Sequence, residues 1–329
     1  MNNFITACKE GNLELVKNLI KDFDLDINIQ DNWGYTGFHN ACMNGHLAIV
    51  EYCIKNTNLD INIQNIYGET GFHLACQYGH ITIVEYCIKN TNLDINLQNN
   101  YGNTSFHLAC MNGHLAIVKF CIKNTNLDIN IKNINGYTGF NLACLNGHLT
   151  IVEFCIKNTN ININSQNNYG NTVFHNACLD GRFAIVEYCI KNTNLDVNIQ
   201  NKNGYTGFHL ACQSGYLAII NFLIKDARLN LNIQSNDGWT PFHYVCRKGN
   251  IKIISLFLNS NRKINLNLQL IQECYDYPIG TTAYDILKSK NINLDVVKEK
   301  ISKNKQLIFY AADCNLLELK KLLKFKKMI

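Results

Sequence analysis

The chain has 329 residues, 47% of them hydrophobic and 17% charged, with a net charge of +5. This composition supplies a folded core and excludes a wholly disordered chain. The first residues lack the basic and apolar regions of a secretory signal, and no apolar run approaches the ~18 residues of a membrane span. The sequence therefore predicts a soluble cytoplasmic protein whose thiols are reduced.

One unit of 34 residues recurs along the chain, and cysteine and glycine mark it most clearly. Two cysteine columns keep this step: Cys8, Cys42, Cys76, Cys110, Cys144, Cys178, Cys212 and Cys246 form one, and Cys53, Cys87, Cys121, Cys155 and Cys189 the other. A fixed period of this length indicates a repeat array in which each unit packs on its neighbours. The two domains that chain length alone would suggest are therefore not expected.

Three regions follow in chain order. Residues 1–30 predict an N-terminal capping repeat of two helices without a preceding finger. Residues 31–271 predict seven full repeats. Residues 272–329 predict divergent C-terminal repeats and a basic cap, because the register slips after Asn267: the threonine expected at position 274 is matched by Thr282.

Each repeat reads as a turn followed by two antiparallel helices. In the first full repeat, Gly34 lies in the turn and Thr36 is an N-cap candidate for a helix over residues 37–44. Gly45 is expected to end that helix, and a second helix follows from residue 46 to about 55. Neither helix can bury its apolar face alone, so the repeats must stack.

This unit resembles the ankyrin repeat. The family's T-P-L-H-x-A stretch is matched by Thr70, Gly71, Phe72, His73 and Ala75. The resemblance implies an all-α repeat solenoid of helix-turn-helix units with β-hairpin-like fingers, and a non-enzymatic scaffold that binds a partner protein along a concave groove, without a cofactor. The period is 34 rather than ~33 residues, and only Pro241 retains the family's first-turn proline. The Asn-rich composition also resembles ankyrin-repeat proteins of amoeba-infecting giant viruses, which would imply a host protein partner and the host cytoplasm.

Histidine and cysteine raise the question of catalysis or metal binding. All ten histidines lie on two repeat columns: His39, His73, His107, His175, His209 and His243 in the first, and His46, His80, His114 and His148 in the second. The first column indicates a helix cap, and the second indicates an exposed helix start. A His39-x-x-Cys42 pair could hold zinc, but there is no Cys-x-x-Cys, and the cysteine columns accept Ala, Leu and Phe. The sequence therefore predicts neither a catalytic residue nor a metal ligand.

Several columns vary freely between repeats and are predicted to be exposed. They flank the finger glycine and occupy the end of the first helix, the surface that the family resemblance assigns to partner binding. Exposed aromatic and methionine side chains are typical interface anchors; the alternative is that the tyrosines pack against neighbouring fingers. The candidate partner-binding residues are Trp33, Tyr35, Met43, Tyr67, Glu69, Tyr78, Tyr101, Met111, Tyr137, Tyr169, Tyr205 and Trp239.

The C-terminus suggests two alternative functions. Residues 298–329 carry nine lysines against Glu299, Asp313 and Glu318, so this segment could bind nucleic acid or another anionic partner. Residues 272–329 could also recruit other machinery. Nucleic acid is nevertheless an unlikely partner, no membrane contact is expected, and the protein is expected to be monomeric.

The resemblance also implies a modification. One asparagine of each repeat matches the position that an asparaginyl hydroxylase modifies in some ankyrin proteins, namely Asn62, Asn96, Asn130, Asn198 and Asn232. The alternative is a side chain that stabilises its own turn by hydrogen bonding.

Overall fold

The computed structural model describes residues 2–22, 25–260, 262–273, 275–293, 295 and 297. These residues form seventeen helices and no strand, which confirms the predicted all-α repeat solenoid. The helices are α1 Asn2–Glu10, α2 Leu13–Asp22, α3 Gly37–Asn44, α4 Leu47–Asn56, α5 Gly71–Tyr78, α6 Ile81–Asn90, α7 Ser105–Met111, α8 Leu115–Asn124, α9 Gly139–Asn146, α10 Leu149–Asn158, α11 Val173–Leu179, α12 Phe183–Asn192, α13 Gly207–Ser214, α14 Leu217–Leu223, α15 Pro241–Lys248, α16 Ile251–Asn259 and α17 Ala283–Ser289.

The chain divides into two compact units. Unit 1 comprises Met1–Ala177 and Tyr188–Leu195, and unit 2 comprises Cys178–Glu187 and Asp196–Ile329. In unit 1 the first helices of successive repeats pack on each other from α1 to α9, and the second helices from α2 to α10. In unit 2, α15 packs between α13 and α17 in the same way. The division into a cap, seven repeats and a divergent end stays a prediction.

A capping box begins the first helix of every repeat from α3 onward. The Thr36 side chain accepts the N–H of His39, and the His39 Nδ1 atom accepts the N–H of Thr36 at 3.1 Å. Because Nδ1 is an acceptor, the proton lies on Nε2, which donates to the Glu69 carbonyl of the next finger at 3.0 Å. Asn141 replaces histidine in one repeat and completes the same box with Thr138. The first histidine column is therefore structural, as its pattern indicated.

The second histidine column differs from the prediction of an exposed helix start. His80 is half-buried, and its Nε2 atom donates to the Met43 carbonyl at 2.9 Å. A Cβ on Gly45 would lie 2.7 Å from this ring, so glycine makes room for the histidine of the next repeat. The same bond joins His46 to Lys9, His114 to Gln77 and His148 to Met111.

The cysteine columns lie in the core. All thirteen cysteines on the two columns are buried, and none of them forms a disulfide. Burial raises the pKa of the Cys53 thiol to about 12, and it also raises the pKa of the Cys42 thiol well above its usual value. These thiols are protonated at neutral pH and pack as small hydrophobic groups. Cys274 and Cys314 lie outside the described residues.

Candidate functional site

Each finger is a tight turn closed by the side chain of its first residue. The Asp31 Oδ1 atom accepts the N–H groups of Trp33 and Tyr35, both at 2.8 Å. The Asp31 N–H donates to the Tyr35 carbonyl, and Gly34 has a φ of 77°. Asparagine replaces Asp31 in the next five fingers and makes corresponding bonds. In this first finger the residue before the glycine, Trp33, is exposed, whereas the residue after it, Tyr35, is half-buried.

Successive fingers of unit 1 are joined by backbone hydrogen bonds. The Ile66 N–H donates to the Trp33 carbonyl at 3.1 Å, and the Asn100 N–H donates to the Tyr67 carbonyl at 3.0 Å. A Cβ on Gly34 would lie 2.9 Å from the Asn65 Cα. Glycine is therefore required both by its positive φ and by the close approach of the next finger.

Apolar side chains form an exposed row along these joined fingers. Trp33 is 57% exposed, Tyr101 53% and Tyr169 57%, while Tyr67 is 38% exposed. Ile66 and Ile134, which the prediction missed, add 50% and 61%. We call Trp33, Ile66, Tyr67, Tyr101, Ile134 and Tyr169 the finger-tip row. An isoleucine in a column otherwise occupied by asparagine and lysine was the available signal for the two missed residues.

The structure brings three candidate residues, Tyr35, Glu69 and Tyr78, together beside Tyr67 of the finger-tip row. Tyr35 is half-buried, and burial raises the pKa of its hydroxyl. Glu69, Tyr67 and Tyr78 lie near enough to raise that pKa further. Tyr78 is half exposed, whereas the Glu69 carboxylate accepts from the Asn65 side chain at 3.3 Å. Tyr35 also meets the His39 ring edge-on, so this side of the finger combines packing with partial exposure.

The remaining candidates are dispersed. Met43 and Met111 are half-buried at the ends of α3 and α7, and Tyr137 is half-buried in its finger. In unit 2, the half-buried Tyr205 hydroxyl accepts from the Tyr244 hydroxyl at 3.0 Å. These side chains add to the local surface of their own repeats, but none belongs to the finger-tip row.

Trp239 is the candidate for which the prediction of exposure was wrong. It is 0% exposed and stacks on Tyr244, with 4.7 Å between the ring centroids. Tyr275 and Tyr277, from the segment that breaks the repeat register, pack against its other edges. Tyr244 replaces the leucine or asparagine of the other repeats. Trp239 is therefore buried by a tyrosine and by a segment that the other repeats lack.

The candidate hydroxylation positions fall into two classes. The Asn96 Oδ1 accepts the Asp128 N–H at 3.1 Å, and Asn198 and Asn232 also bond to the next repeat through their side chains. Asn62 and Asn130 are exposed, and their side chains make no hydrogen bond within the described part of the chain. In all five asparagines the backbone N–H donates to the side-chain oxygen of the Asp or Asn two residues earlier.

The described ranges also bear on metal binding and on membrane insertion. They contain no cluster of three His, Cys, Asp or Glu residues that could hold a metal ion. Their helices include none with the length and apolar character needed to cross a bilayer. The lysine-rich residues 298–329 lie outside the ranges that the structure describes.

Comparison with known proteins identifies the repeat. A family model described as ankyrin repeats (3 copies) matches six overlapping segments, residues 4–99, 57–133, 87–167, 106–201, 140–235 and 182–269. A search of the curated proteins found no match, so no relative supports the resemblance in composition to giant-virus proteins. Ankyrin repeats are typically non-enzymatic and generally serve as protein–protein interaction modules. The matched segments together span most of the sequence, and the chain belongs to the ankyrin-repeat family.

Proposed function

We propose that this protein is a non-enzymatic scaffold that binds a partner protein through the finger-tip row of unit 1. The observation that carries the proposal is the exposure of six large apolar side chains on fingers joined by backbone hydrogen bonds. Contiguous exposed apolar surface marks interaction sites, and aromatic residues on a rigid support are frequent hot spots. Tyr35, Glu69 and Tyr78 extend the surface beside the row.

The backbone that carries the row is held by hydrogen bonds within each finger and between fingers. Each finger is closed by its Asp or Asn side chain and bonded to the next finger. The Gln30 amide adds a second link, donating to the Gly34 carbonyl at 2.8 Å and to the Gln64 carbonyl at 3.0 Å. A surface ordered in advance loses little conformational entropy on binding.

The triple substitution Trp33→Ala, Tyr67→Ala and Tyr101→Ala should abolish capture of the partner. Removing hot-spot aromatics costs about 2 kcal/mol or more for each side chain. The measurement is quantitative mass spectrometry of proteins captured by the immobilised full chain and by the variant. Tyr284→Ala is the matched control, because it removes an aromatic that is 55% exposed on α17, outside the fingers.

Two results would overturn this assignment. The first is undiminished capture by a triple variant whose thermal unfolding is unchanged. The second is capture that is lost when Lys320, Lys321 and Lys324 are changed to Gln, with a steep dependence on salt, because phosphate contacts weaken strongly as salt rises. That second result would favour an anionic partner bound by the lysine-rich C-terminus.

We also propose that an asparaginyl hydroxylase, if one acts on this chain, modifies Asn62 and Asn130 before Asn96, Asn198 and Asn232. The latter three must first break side-chain bonds to the next repeat, each worth about 1 kcal/mol. Incubation with the enzyme followed by intact-mass and peptide mass spectrometry should show +16 increments at the first two positions. Absence of any increment removes the proposal, and modification of Asn96 first contradicts its order.

A further inference from the structure

The eighth finger is longer than the others and retains the base of the common hairpin. The Leu270 N–H donates to the Thr281 carbonyl at 3.0 Å, and the Gly280 N–H donates to the Leu270 carbonyl at 2.9 Å. The Ile271 N–H donates to the Asp237 carbonyl of the preceding finger at 3.1 Å. The added residues therefore project from a finger that is seated like its siblings. We call its described added residues, 272–273 and 275–279, the insert.

The insert folds back onto the variable surface of unit 2. The Arg247 guanidinium lies 3.7 Å from the centroid of the Tyr275 ring, and the Gln213 amide donates to the Tyr275 hydroxyl at 3.5 Å. The Tyr275 ring meets Trp239 edge-on at 5.6 Å. Gln213 and Arg247 occupy the helix-one column that contains Met43 and Met111 in unit 1. Tyr275 thus covers the part of unit 2 that corresponds to the candidate binding positions Met43 and Met111 of unit 1.

Two features of the docked insert and its site are energetically unfavourable. Tyr275 has a φ of 53° and Asp276 a φ of 68°, a region that residues other than glycine rarely adopt. The Trp239 Nε1 atom is buried and has no hydrogen-bond partner among the described residues. Release of the insert would relax both backbone positions and could admit water to the indole. Both features destabilise the docked form relative to a released one.

We propose that Gln213, Trp239 and Arg247 form a binding subsite for an aromatic side chain, and that the insert is a lid whose Tyr275 fills this subsite. Arg247 stacks on the ring and Gln213 bonds its hydroxyl. A tyrosine-bearing segment of a partner would fit the same subsite after the lid opens. Only this last consequence rests on the proposed scaffold function, because opening of the lid can be measured without a partner.

Hydrogen exchange of the hairpin base tests the lid. Arg247→Ala should speed exchange at the Leu270 and Gly280 amides about two- to fivefold, because the Tyr275 ring is 41% exposed and an exposed cation–π contact contributes about 0.5–1 kcal/mol. Asp276→Gly should slow it, because glycine removes strain at positive φ in the docked form. Lys248→Ala is the matched control on the same helix, since its side chain is exposed and lies beside Gly215.

Binding of N-acetyl-tyrosinamide tests the subsite. With Trp33 changed to Phe, the fluorescence of Trp239 reports on the site alone. The amide should bind the Tyr275→Ala protein, and it should bind neither the protein with an intact insert nor the Tyr275→Ala, Arg247→Ala double variant. Equal exchange in Arg247→Ala and the parent, or faster exchange in Asp276→Gly, overturns the lid. Absence of binding to a folded Tyr275→Ala protein overturns the subsite. Neither result depends on partner capture by the finger-tip row.

Discussion

Lowering the pH from 7.5 to 5.0 is expected to reduce the free energy of unfolding by at least about 4 kcal/mol. Burial lowers the pKa of His73 and His243 to about 4, and it lowers the pKa of His39 and His107 in the same direction. An imidazole of the unfolded chain has a pKa near 6.5. Between pH 6.5 and 4, the unfolded chain therefore binds more protons than the folded one.

The sign of this effect follows from proton linkage. Because the folded pKa values are depressed, the stability conferred by neutral histidines is complete above pH 6.5 and decreases as the pH falls toward 4. His73 and His243 each contribute about 2 kcal/mol of the loss at pH 5. A protonated Nδ1 could no longer accept the N–H groups of Thr70 and Thr240, which it accepts now. Urea titrations monitored by circular dichroism at the two pH values measure the difference.

The chain supplies its own control for the acid effect. Asn141 completes the capping box of α9 without an imidazole. Replacing His73 and His243 with Asn should therefore remove about 4 kcal/mol of the pH-dependent difference, although both variants lose the Nε2 bond to the next repeat. If the double variant keeps the full loss of stability at pH 5, these histidines are not its origin.

The repeat pattern made much of the fold predictable. The helix over 37–44, its threonine cap and the burial of both cysteine columns follow from residues that recur in nearly identical surroundings. The pairing of His80 with Gly45 also recurs every 34 residues. Its partners lie in different repeats, so only the stacked structure shows that the histidine column and the glycine column are in contact.

The candidate site was less predictable where a residue departs from its column. Trp239 belongs to a column whose other aromatics are half-buried, and its complete burial depends on Tyr244 and on the insert. The insert has no register with the repeats, so its docking position cannot be read from them. Trp239 was expected to be exposed and is buried, whereas Ile66 and Ile134 are exposed and were missed. They were missed because a large apolar residue in a repeat is normally assigned to the core.

Restoring the family's first-turn proline at Gly71 is expected to destabilise this protein by about 1–3 kcal/mol. The local backbone favours proline there, because Thr70 is extended and the first helical N–H has no intrahelical partner. The obstacle is packing. A Cβ on Gly71 would lie 2.6 Å from the Cδ1 atom of the Phe38 ring and 3.1 Å from the Cys42 Sγ. Pro241 follows Phe208 in the same register, so the obstacle at Gly71 is the position that the Phe38 ring occupies and not phenylalanine as such.

A double-mutant cycle of Gly71→Pro with Phe38→Leu tests this obstacle. Phe38→Leu alone should cost about 1 kcal/mol from lost packing. The double variant should be more stable than the sum of the two losses by about 1 kcal/mol, because leucine frees the space that proline needs. Ser105→Pro is the matched control: this position follows Phe72 in the same register and already accommodates a Cβ, so its penalty should be smaller. Denaturant titrations that give additive losses, or equal penalties at positions 71 and 105, would show that the Phe38 contact does not exclude proline.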